Sequence, residues 1–148
     1  MICGTFGEYS WHLYYIEQVL CDPAQHAQGA LSLMILEDGP LFIADTHVHT
    51  TPTPEQITQS VLGAARHVRR FGLEPKIALC ARSQFGSMQG DTGQRLRDAI
   101  AQLDLMDLDF QYEGEMNIDA ALDPELRARV MPQNRMDGIA NVLIFAHA

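Results

Sequence analysis

The feature that most constrains the fold is a helix signal followed at once by a buried-strand signal in the middle of the chain. The segment Thr53–Gln56 combines a capping threonine, a proline at the first helical position and a glutamine that completes a capping box. Apolar residues then recur at helical spacing as far as Phe71, and Gly72 follows as a stop signal. The uninterrupted apolar run Lys76–Ala81 comes next, which is typical of a strand covered on both faces of a parallel sheet.

The rest of the chain continues this alternation of helices and strands, which predicts an α/β fold with right-handed crossovers. Each element rests on its own apolar pattern and on the turn residues at its ends. In the first part of the chain we predict a helix over residues 8 to 20 that is buried on more than one side, and a β-hairpin from Ala30–Leu36 and Leu41–Ala44. After the central strand we predict a helix carrying Leu96 and Leu103, and a strand through Leu108, Phe110 and Tyr112. The last part should hold a loop with a short helical turn over residues 114 to 121, a helix opening at Asp123, and a final buried strand over Ile139–Ala146.

The charge balance and the hydropathy pattern exclude two classes of partner. A formal net charge of −9 argues against nucleic acid, because the phosphate backbone must be met by a surplus of Lys and Arg. No apolar run approaches the roughly 18 residues needed to span a membrane. The three cysteines follow no metal-binding spacing, so we expect a reducing, cytoplasmic setting, with Cys80 buried in the core.

In α/β sheets, ligands bind at the carboxyl ends of the strands. This rule singles out three loops, namely those after Ala44, Ala81 and Tyr112. The first contains His47 and His49, which would project from the same side of an extended segment and could hold one metal ion, as in the first metal-binding strand of amidohydrolases. Such enzymes need a barrel-sized chain and further ligands, so we interpret these histidines as surface or loop-packing residues and expect no metal.

The other two loops carry different chemistry. Small residues and backbone N–H groups in Ser83–Ser87, after a strand and ahead of a helix, suit a phosphate or another anion, although a loop that merely turns the chain is the simpler interpretation. The acids in Glu113–Asp119 could do acid–base work, but without a partner histidine or metal we interpret them as solvated.

Six segments, taken in order along the chain, resemble the phosphate acetyl/butyryltransferase family. One of them, Ser83–Ser87, ends in Phe-Gly-Ser, where phosphotransacetylases tend to carry Thr-Lys-Gly-Ser. In this it is similar to the phosphotransacetylase-like C-terminal domains of bacterial NADP-dependent malic enzymes. The segments are Phe42–Thr46, Pro52–Gln56, Phe71–Leu79, Ser83–Ser87, Gly114–Leu122 and Gly138–Phe145.

The resemblance implies a three-layer α/β/α lobe with a mostly parallel sheet and a β-hairpin. Residues 1–148 would form a single partial domain, the C-terminal lobe of a two-lobed, dimeric domain whose cleft binds acetyl-CoA or acetyl phosphate. The chain stops at Ala148 after a strand that should be central, which we interpret as truncation.

By position within the family, eight residues are expected on the ligand side. Hydroxyl and backbone donors of Ser83, Gly86 and Ser87 would meet an acyl phosphate or a phosphate of CoA, and Glu115 and Asn141 would brace the loops. The eight are Asp45, Thr46, Ser83, Phe85, Gly86, Ser87, Glu115 and Asn141. Where relatives usually have Val-Asn, this chain has Val48-His49.

The leading hypothesis is an acetyl-CoA-responsive regulatory and oligomerisation domain of a malic enzyme. The family's enzyme would decarboxylate malate with NADP and a divalent metal held in other domains, and this chain would itself be non-catalytic, with no cofactor of its own. Its partners would be those other domains and a second copy of the chain. The alternatives are a fragment of an active phosphate acetyltransferase, whose downstream Ser-Arg-Gly motif lies beyond Ala148, and a metal-dependent hydrolase that uses His47 and His49.

Overall fold

The computed structural model describes residues 6–20, 29–45, 48–87 and 89–146. Among the described residues, no helix is long and apolar enough to cross a membrane. Strands and helices alternate over most of these ranges, in the order α1 (Tyr9–Leu20), β1 (Ser32–Leu36), β2 (Gly39–Ala44), α2 (Pro54–Arg70), β3 (Lys76–Cys80), α3 (Asp91–Leu103), β4 (Gln111–Met116), α4 (Ile118–Leu122), α5 (Pro124–Val130) and β5 (Val142–Phe145).

The strands form one sheet in the order β1-β2-β5-β3-β4. Strand β1 pairs antiparallel with β2, as the predicted hairpin requires, and the other neighbours are parallel. The chain therefore runs from β2 past the place of β5 to β3 and β4, and returns to fill the gap with β5. This confirms the predicted mostly parallel sheet with a β-hairpin.

Alternate residues of the central strands build two cores, one on each face of the sheet. On one face, Ile77, Leu79 and Ile144 pack against α2 and α3. On the other face, Ala78 and Cys80 pack with α4 and with the segment before β5. The result is the three-layer arrangement expected of the family. Burial raises the pKa of the Cys80 thiol to about 12, in agreement with its predicted place in the core.

The capping box predicted at the start of α2 is present in the structure. Thr53 caps α2: its Oγ1 accepts from the Gln56 N–H at 3.3 Å, and its own N–H donates to Gln56 Oε1 at 2.9 Å. Helix α2 ends at Arg70, and Gly72 takes a φ of 75°, a left-handed conformation that glycine adopts at little cost.

Three predicted elements differ from the structure. Helix α1 forms over nearly the predicted range, but none of its residues is buried, because its apolar stripe has no core to enter within the described chain. The strand predicted through Leu108 to Tyr112 instead runs over Gln111–Met116, and the predicted loop begins only at Asn117. The last strand is limited to Val142–Phe145, and Ile139 is exposed.

The shifted strand has a clear physical cause. Strand β4 carries two buried acids, Glu113 and Glu115, at inward positions where apolar side chains were expected. Both are paired: Glu113 Oε2 accepts from the Arg135 N–H at 2.8 Å, and Glu115 bonds to the loop after β3. These partners are distant in sequence, so the local pattern showed only a group of acids without partners, which is typical of a solvated loop.

A single arginine holds the second face together. Arg127 is 1% exposed, and all five of its N–H donors are used. Its Nε donates to Asn134 Oδ1, and its terminal nitrogens donate to the carbonyls at the end of α4 and in the segment before β5, which are those of Ala120, Ala121, Met136 and Gly138.

We predict that Arg127→Met lowers the free energy of unfolding by at least about 3 kcal/mol, because it leaves several buried carbonyls without a donor. Urea unfolding followed by circular dichroism measures the change. Arg129→Met on the exposed side of the same helix is the matched control and should shift the midpoint very little. Equal midpoints for the two variants would contradict the structural role of Arg127.

Candidate functional site

The sheet has a topological switch point between β3 and β4. After β3 the chain turns to α3 on the first face, and after β4 it turns to α4 on the second face. Neighbouring parallel strands whose connections diverge in this way leave a crevice at their carboxyl ends, where α/β proteins bind ligands. The loop after Cys80 and the segment around Glu115 lie at this crevice, so two of the three predicted loops meet there.

A β-bulge directs Glu115 into the crevice. Leu79 pairs with Gly114 and Cys80 pairs with Met116, so Glu115 is an extra residue in β4. Only glycine fits at position 114, directly before Glu115, because a Cβ there would lie 2.6 Å from the Leu79 carbonyl oxygen. The side chain of Glu115 is thereby turned towards the loop after β3 and is fully buried.

The carboxylate of Glu115 organises that loop. Its Oε1 accepts hydrogen bonds from the Ser83 hydroxyl, from the Gly86 N–H at 2.9 Å and from Arg97 Nη1 at 2.7 Å. The Glu115 carbonyl also accepts from the Phe85 N–H at 2.7 Å. Phe85 and Gly86 both take left-handed conformations, with φ values of 48° and 83°, and this turn presents the two N–H groups to Glu115.

These contacts change the role of the predicted anion donors. The Ser83 hydroxyl and the Gly86 N–H already donate to Glu115, so an incoming anion would have to compete with a buried carboxylate for them. The Ser87 hydroxyl is exposed and accepts from the Gln84 N–H at 2.9 Å, which closes the turn. The structure thus gathers Ser83, Phe85, Gly86, Ser87 and Glu115 into one loop network.

Beside this network lies a cavity of about 210 Å³ at the N-terminus of α3. Gly90 is the N-cap residue and supplies no side-chain cap. No described residue accepts from the N–H groups of the first three helical residues, Asp91 to Gly93, so these donors and the positive end of the helix dipole face the cavity. Its lining residues are Ala81, Arg82, Ser83, Gln89, Gly90, Asp91, Thr92 and Gly93.

Three arginines of this acidic protein lie around the same helix end. Arg82 lines the cavity and is exposed. Arg97 is partly exposed and pairs with Glu115. Arg95 lies one turn into α3 and makes only long contacts, at 3.3 Å to Thr92 Oγ1 and 3.5 Å to the Ala146 carbonyl, while its Nε is buried without a partner among the described residues. Local positive charge and free backbone donors together suit an anionic group.

The loop after β2 is organised by a second buried acid. Asp45 Oδ1 accepts from the N–H groups of Ala30 and Val48, and Oδ2 accepts from the His49 N–H at 3.0 Å. His49 Nδ1 lies 2.7 Å from the same Oδ2. Thr46 and His47 lie outside the described residues, so the predicted roles of both stay untested.

The metal hypothesis gains no support from the described positions. Across the four described ranges, no group of three or more His, Cys, Asp or Glu side chains could hold a metal ion. His49 meets Asp45 through its Nδ1, as the loop-packing interpretation expects of it.

Asn141 lies away from the other predicted ligand residues. It precedes β5 and so lies at the amino ends of the parallel strands, at the opposite edge of the sheet. Its Oδ1 accepts from the Lys76 N–H at 2.8 Å, and its Nδ2 donates to the Glu74 carbonyl at 2.8 Å. Asn141 therefore braces the start of β3 by hydrogen bonding, as expected of it, but from the opposite edge of the sheet, and its place on the ligand side stays a prediction.

Sequence reasoning missed three residues of this site. Arg97 pairs with Glu115, and Gly93 makes room for its carboxylate. The Asn117 amide, oriented to satisfy its bonds, donates to the carbonyls of Ala81 and Arg82 and accepts from Gln84 Nε2. The spacing of four between Gly93 and Arg97, which places both on one side of α3, is the only local signal that the sequence offered.

We predict opposite effects from two glycine-to-alanine changes in helices. A Cβ at Gly93 would lie 2.3 Å from Glu115 Oε2, so Gly93→Ala should displace the carboxylate and destabilise the protein by about 1–3 kcal/mol. Gly63 in α2 has no atom within 4 Å of such a Cβ, so Gly63→Ala should stabilise by about 0.5–1 kcal/mol. Urea midpoints compare the two, and stabilisation by both changes would contradict the placement of Glu115.

Comparison with known proteins places this geometry in a family. The family model described as phosphate acetyl/butaryl transferase matches residues 1–147. The chain is 39% identical over 145 residues to an NADP-dependent malic enzyme of Salmonella typhimurium, covering 97% of the chain and 19% of that protein. It is 32% identical over 130 residues to a phosphate acetyltransferase of Synechocystis, covering 88% of the chain and 19% of that protein.

Solved structures share the fold. A phosphotransacetylase from Streptococcus pyogenes superposes with a TM-score of 0.86 at 23% identity, over 97% of the chain and 45% of that structure. The EutD phosphotransacetylase from Staphylococcus aureus gives a TM-score of 0.77 at 22% identity, over 89% of the chain and 42% of that structure. The chain thus spans about a fifth of these curated relatives and under half of these solved structures, and it belongs to the phosphate acetyl/butaryl transferase family.

Proposed function

We propose that the chain is an acetyl-CoA-responsive regulatory and oligomerisation domain of a malic enzyme. The observation that carries this proposal is the open N-terminus of α3, where Arg82 and N–H groups that have no acceptor among the described residues face a cavity on a chain of net charge −9. Similarity to a protein named as an NADP-dependent malic enzyme, at 39% identity over nearly the whole chain, supports the enzyme context.

The size of the cavity indicates which part of the ligand would enter. Sites for drug-sized ligands usually measure about 300–1,000 Å³, so a cavity of about 210 Å³ suits one end of acetyl-CoA or a small acyl phosphate. A phosphate oxygen would meet the N–H groups of Thr92 and Gly93 and the guanidinium of Arg82. Arg95, with its long contacts, could turn towards the same anion.

Regulation, rather than chemistry, is the role that suits the buried acid. Oε1 of Glu115 is neutralised by Arg97 and is enclosed by the loop, so it is placed to hold the loop and not to reach a substrate. A ligand that binds beside Ser83 would act on this network directly, which is a route from binding to a change in loop position. The NADP and the divalent metal of a malic enzyme would belong to parts of the enzyme that this chain does not cover.

We predict that acetyl-CoA binds this chain and that Arg82→Gln weakens binding about ten-fold, which corresponds to about 1.4 kcal/mol for one lost charge-assisted contact. Isothermal titration calorimetry measures both affinities. Arg129→Gln removes the same charge from an exposed position on α5, at the other face of the sheet, and should leave the affinity unchanged.

Two results would count against this site. No heat with millimolar acetyl-CoA would rule out the proposed ligand. Equal weakening by Arg82→Gln and Arg129→Gln would show that only net charge matters and that the N-terminus of α3 is not the site.

The second candidate is a part of an active phosphate acetyltransferase, which is favoured by the similarity to the Synechocystis enzyme of that name. This function predicts that phosphate and acetyl-CoA yield acetyl phosphate and free CoA thiol. A thiol-reactive dye detects the thiol continuously. We expect no thiol release above the rate of a phosphate-free control, and release that depends on both phosphate and Arg82 would favour the enzyme over the regulatory domain.

A further inference from the structure

A second cavity, of about 110 Å³, lies between α2 and the segment that leads into β1. It is on the first face of the sheet, beside Ala44 at the end of β2. None of its described lining residues also lines the cavity at the N-terminus of α3. The two cavities are therefore separate, and the proposed function makes no use of this one.

Small residues create the space. Gly63 and Ala64 line it from α2, and Gly29 and Ala30 line it from the segment before β1. A Cβ at Gly63 would meet no atom within 4 Å, whereas a Cβ at Gly29 would lie 3.8 Å from Ser60 Oγ. The helix and the segment before β1 thus approach each other at Ser60 without filling the space at Gly63.

The cavity combines an apolar inner wall with a cationic rim. Ala44 and Ala64 are buried and Leu31 is half-buried, so the inner wall carries no charge. The exposed residues Arg66 and His67 form the rim. Although the chain has 19 acidic residues, none of the described lining residues is an acid.

The side chains of the rim are not neutralised by the protein. Arg69, on the same helix, pairs with Asp109 and Glu74. Neither Arg66 nor His67 forms a side-chain hydrogen bond or ion pair with another residue in the described part of the chain. Arginine binds a carboxylate through two parallel hydrogen bonds, so Arg66 is available to an incoming carboxylate.

We propose that this cavity binds a short-chain monocarboxylate, with its carboxylate at Arg66 and His67 and its alkyl chain against the apolar inner wall. The volume of about 110 Å³ limits the size of the ligand. Sites for drug-sized ligands measure about 300–1,000 Å³, so the ligand of this cavity has only a few carbon atoms. Burial of its alkyl chain and pairing of its charge use both halves of the site.

The available donors favour a carboxylate over phosphate. Phosphate sites usually draw on several free backbone N–H groups. The lining residues of α2 lie beyond its first turn, so their N–H groups are bonded within the helix. The Ala30 N–H donates to Asp45 Oδ1 at 3.0 Å. The charge of the ligand is therefore met by side chains, and the apolar wall suits an alkyl chain and not a hydrated oxyanion.

Nuclear magnetic resonance titration of the isotope-labelled 148-residue chain with sodium butyrate tests the site, with sodium chloride at equal ionic strength as the reference. The amide signals of Gly29, Gly63 and Ala64 should shift with a dissociation constant on the order of 1 mM, because so small a ligand makes few contacts. Inorganic phosphate should bind at least about ten-fold more weakly. No shift of these amides with butyrate, or equal binding of phosphate, would overturn the proposal.

Matched variants test the residues. Arg66→Gln should weaken butyrate binding by about ten-fold, because it removes the charge-assisted contact. Arg70→Gln removes the same charge from the last residue of α2, which does not line the cavity, and should leave the affinity unchanged. Equal weakening by both changes would show an effect of net charge alone and would overturn the site.

Gly63→Leu tests the cavity itself. The added side chain should fill the space and abolish butyrate binding while the protein stays folded, since a Cβ at this position has free space around it. Circular dichroism checks that the variant is folded. Butyrate binding that survives in folded Gly63→Leu would overturn the proposal, and Arg66→Gln provides the test if this variant does not fold.

Cross-titration separates this site from the cavity at α3. Arg82→Gln should leave butyrate binding unchanged, and Arg66→Gln should leave acetyl-CoA binding unchanged. Loss of butyrate binding in Arg82→Gln would place the carboxylate at α3 and overturn the second site. Butyrate binding that persists in a chain that does not bind acetyl-CoA would support this site while removing the proposed ligand of the other.

Discussion

The carboxylate of Glu115 is the group on which the loop after β3 and the crevice between β3 and β4 depend. A buried carboxylate is costly unless every contact compensates for lost hydration. Here Ser83, Gly86 and Arg97 supply such contacts to Oε1, and the bulge at Gly114 supplies the direction, while Oε2 is buried without a hydrogen-bond partner among the described residues. The loop after β3 therefore has its shape because it wraps a charge, and the cavity beside α3 is the space that this wrapping leaves open.

The sequence predicted helix α2, the β-hairpin and strand β3 correctly, because each is determined by residues that are close together in the chain. The capping box at Thr53 and the Glu37–Pro40 turn between two apolar runs are read over a few residues, and both formed as expected. The buried run at Lys76 needs only its own composition to indicate a central strand. The family resemblance added the layer on each face of the sheet, which periodicity alone does not give, whereas the strand order came only from the structure.

The differences arise where the outcome depends on parts of the chain that a local pattern does not include. The β4 strand was obscured by Glu113 and Glu115, whose partners lie some 20 to 30 residues away. The position of Asn141 was inferred from the order of segments in the family, which does not give the end of the sheet at which it lies. The stripe on α1 indicated a buried helix, but periodicity shows only which side is apolar and not whether anything packs against it.

Arg127 has a consequence for how the protein moves. Helices α4 and α5 have five and seven residues, too short to persist alone in water. One guanidinium joins them to each other and to the segment before β5. Loss of its contacts would release all three pieces at once, so the stretch from Ile118 to Gly138 should open as one cooperative unit, with its amide protons exchanging together rather than helix by helix.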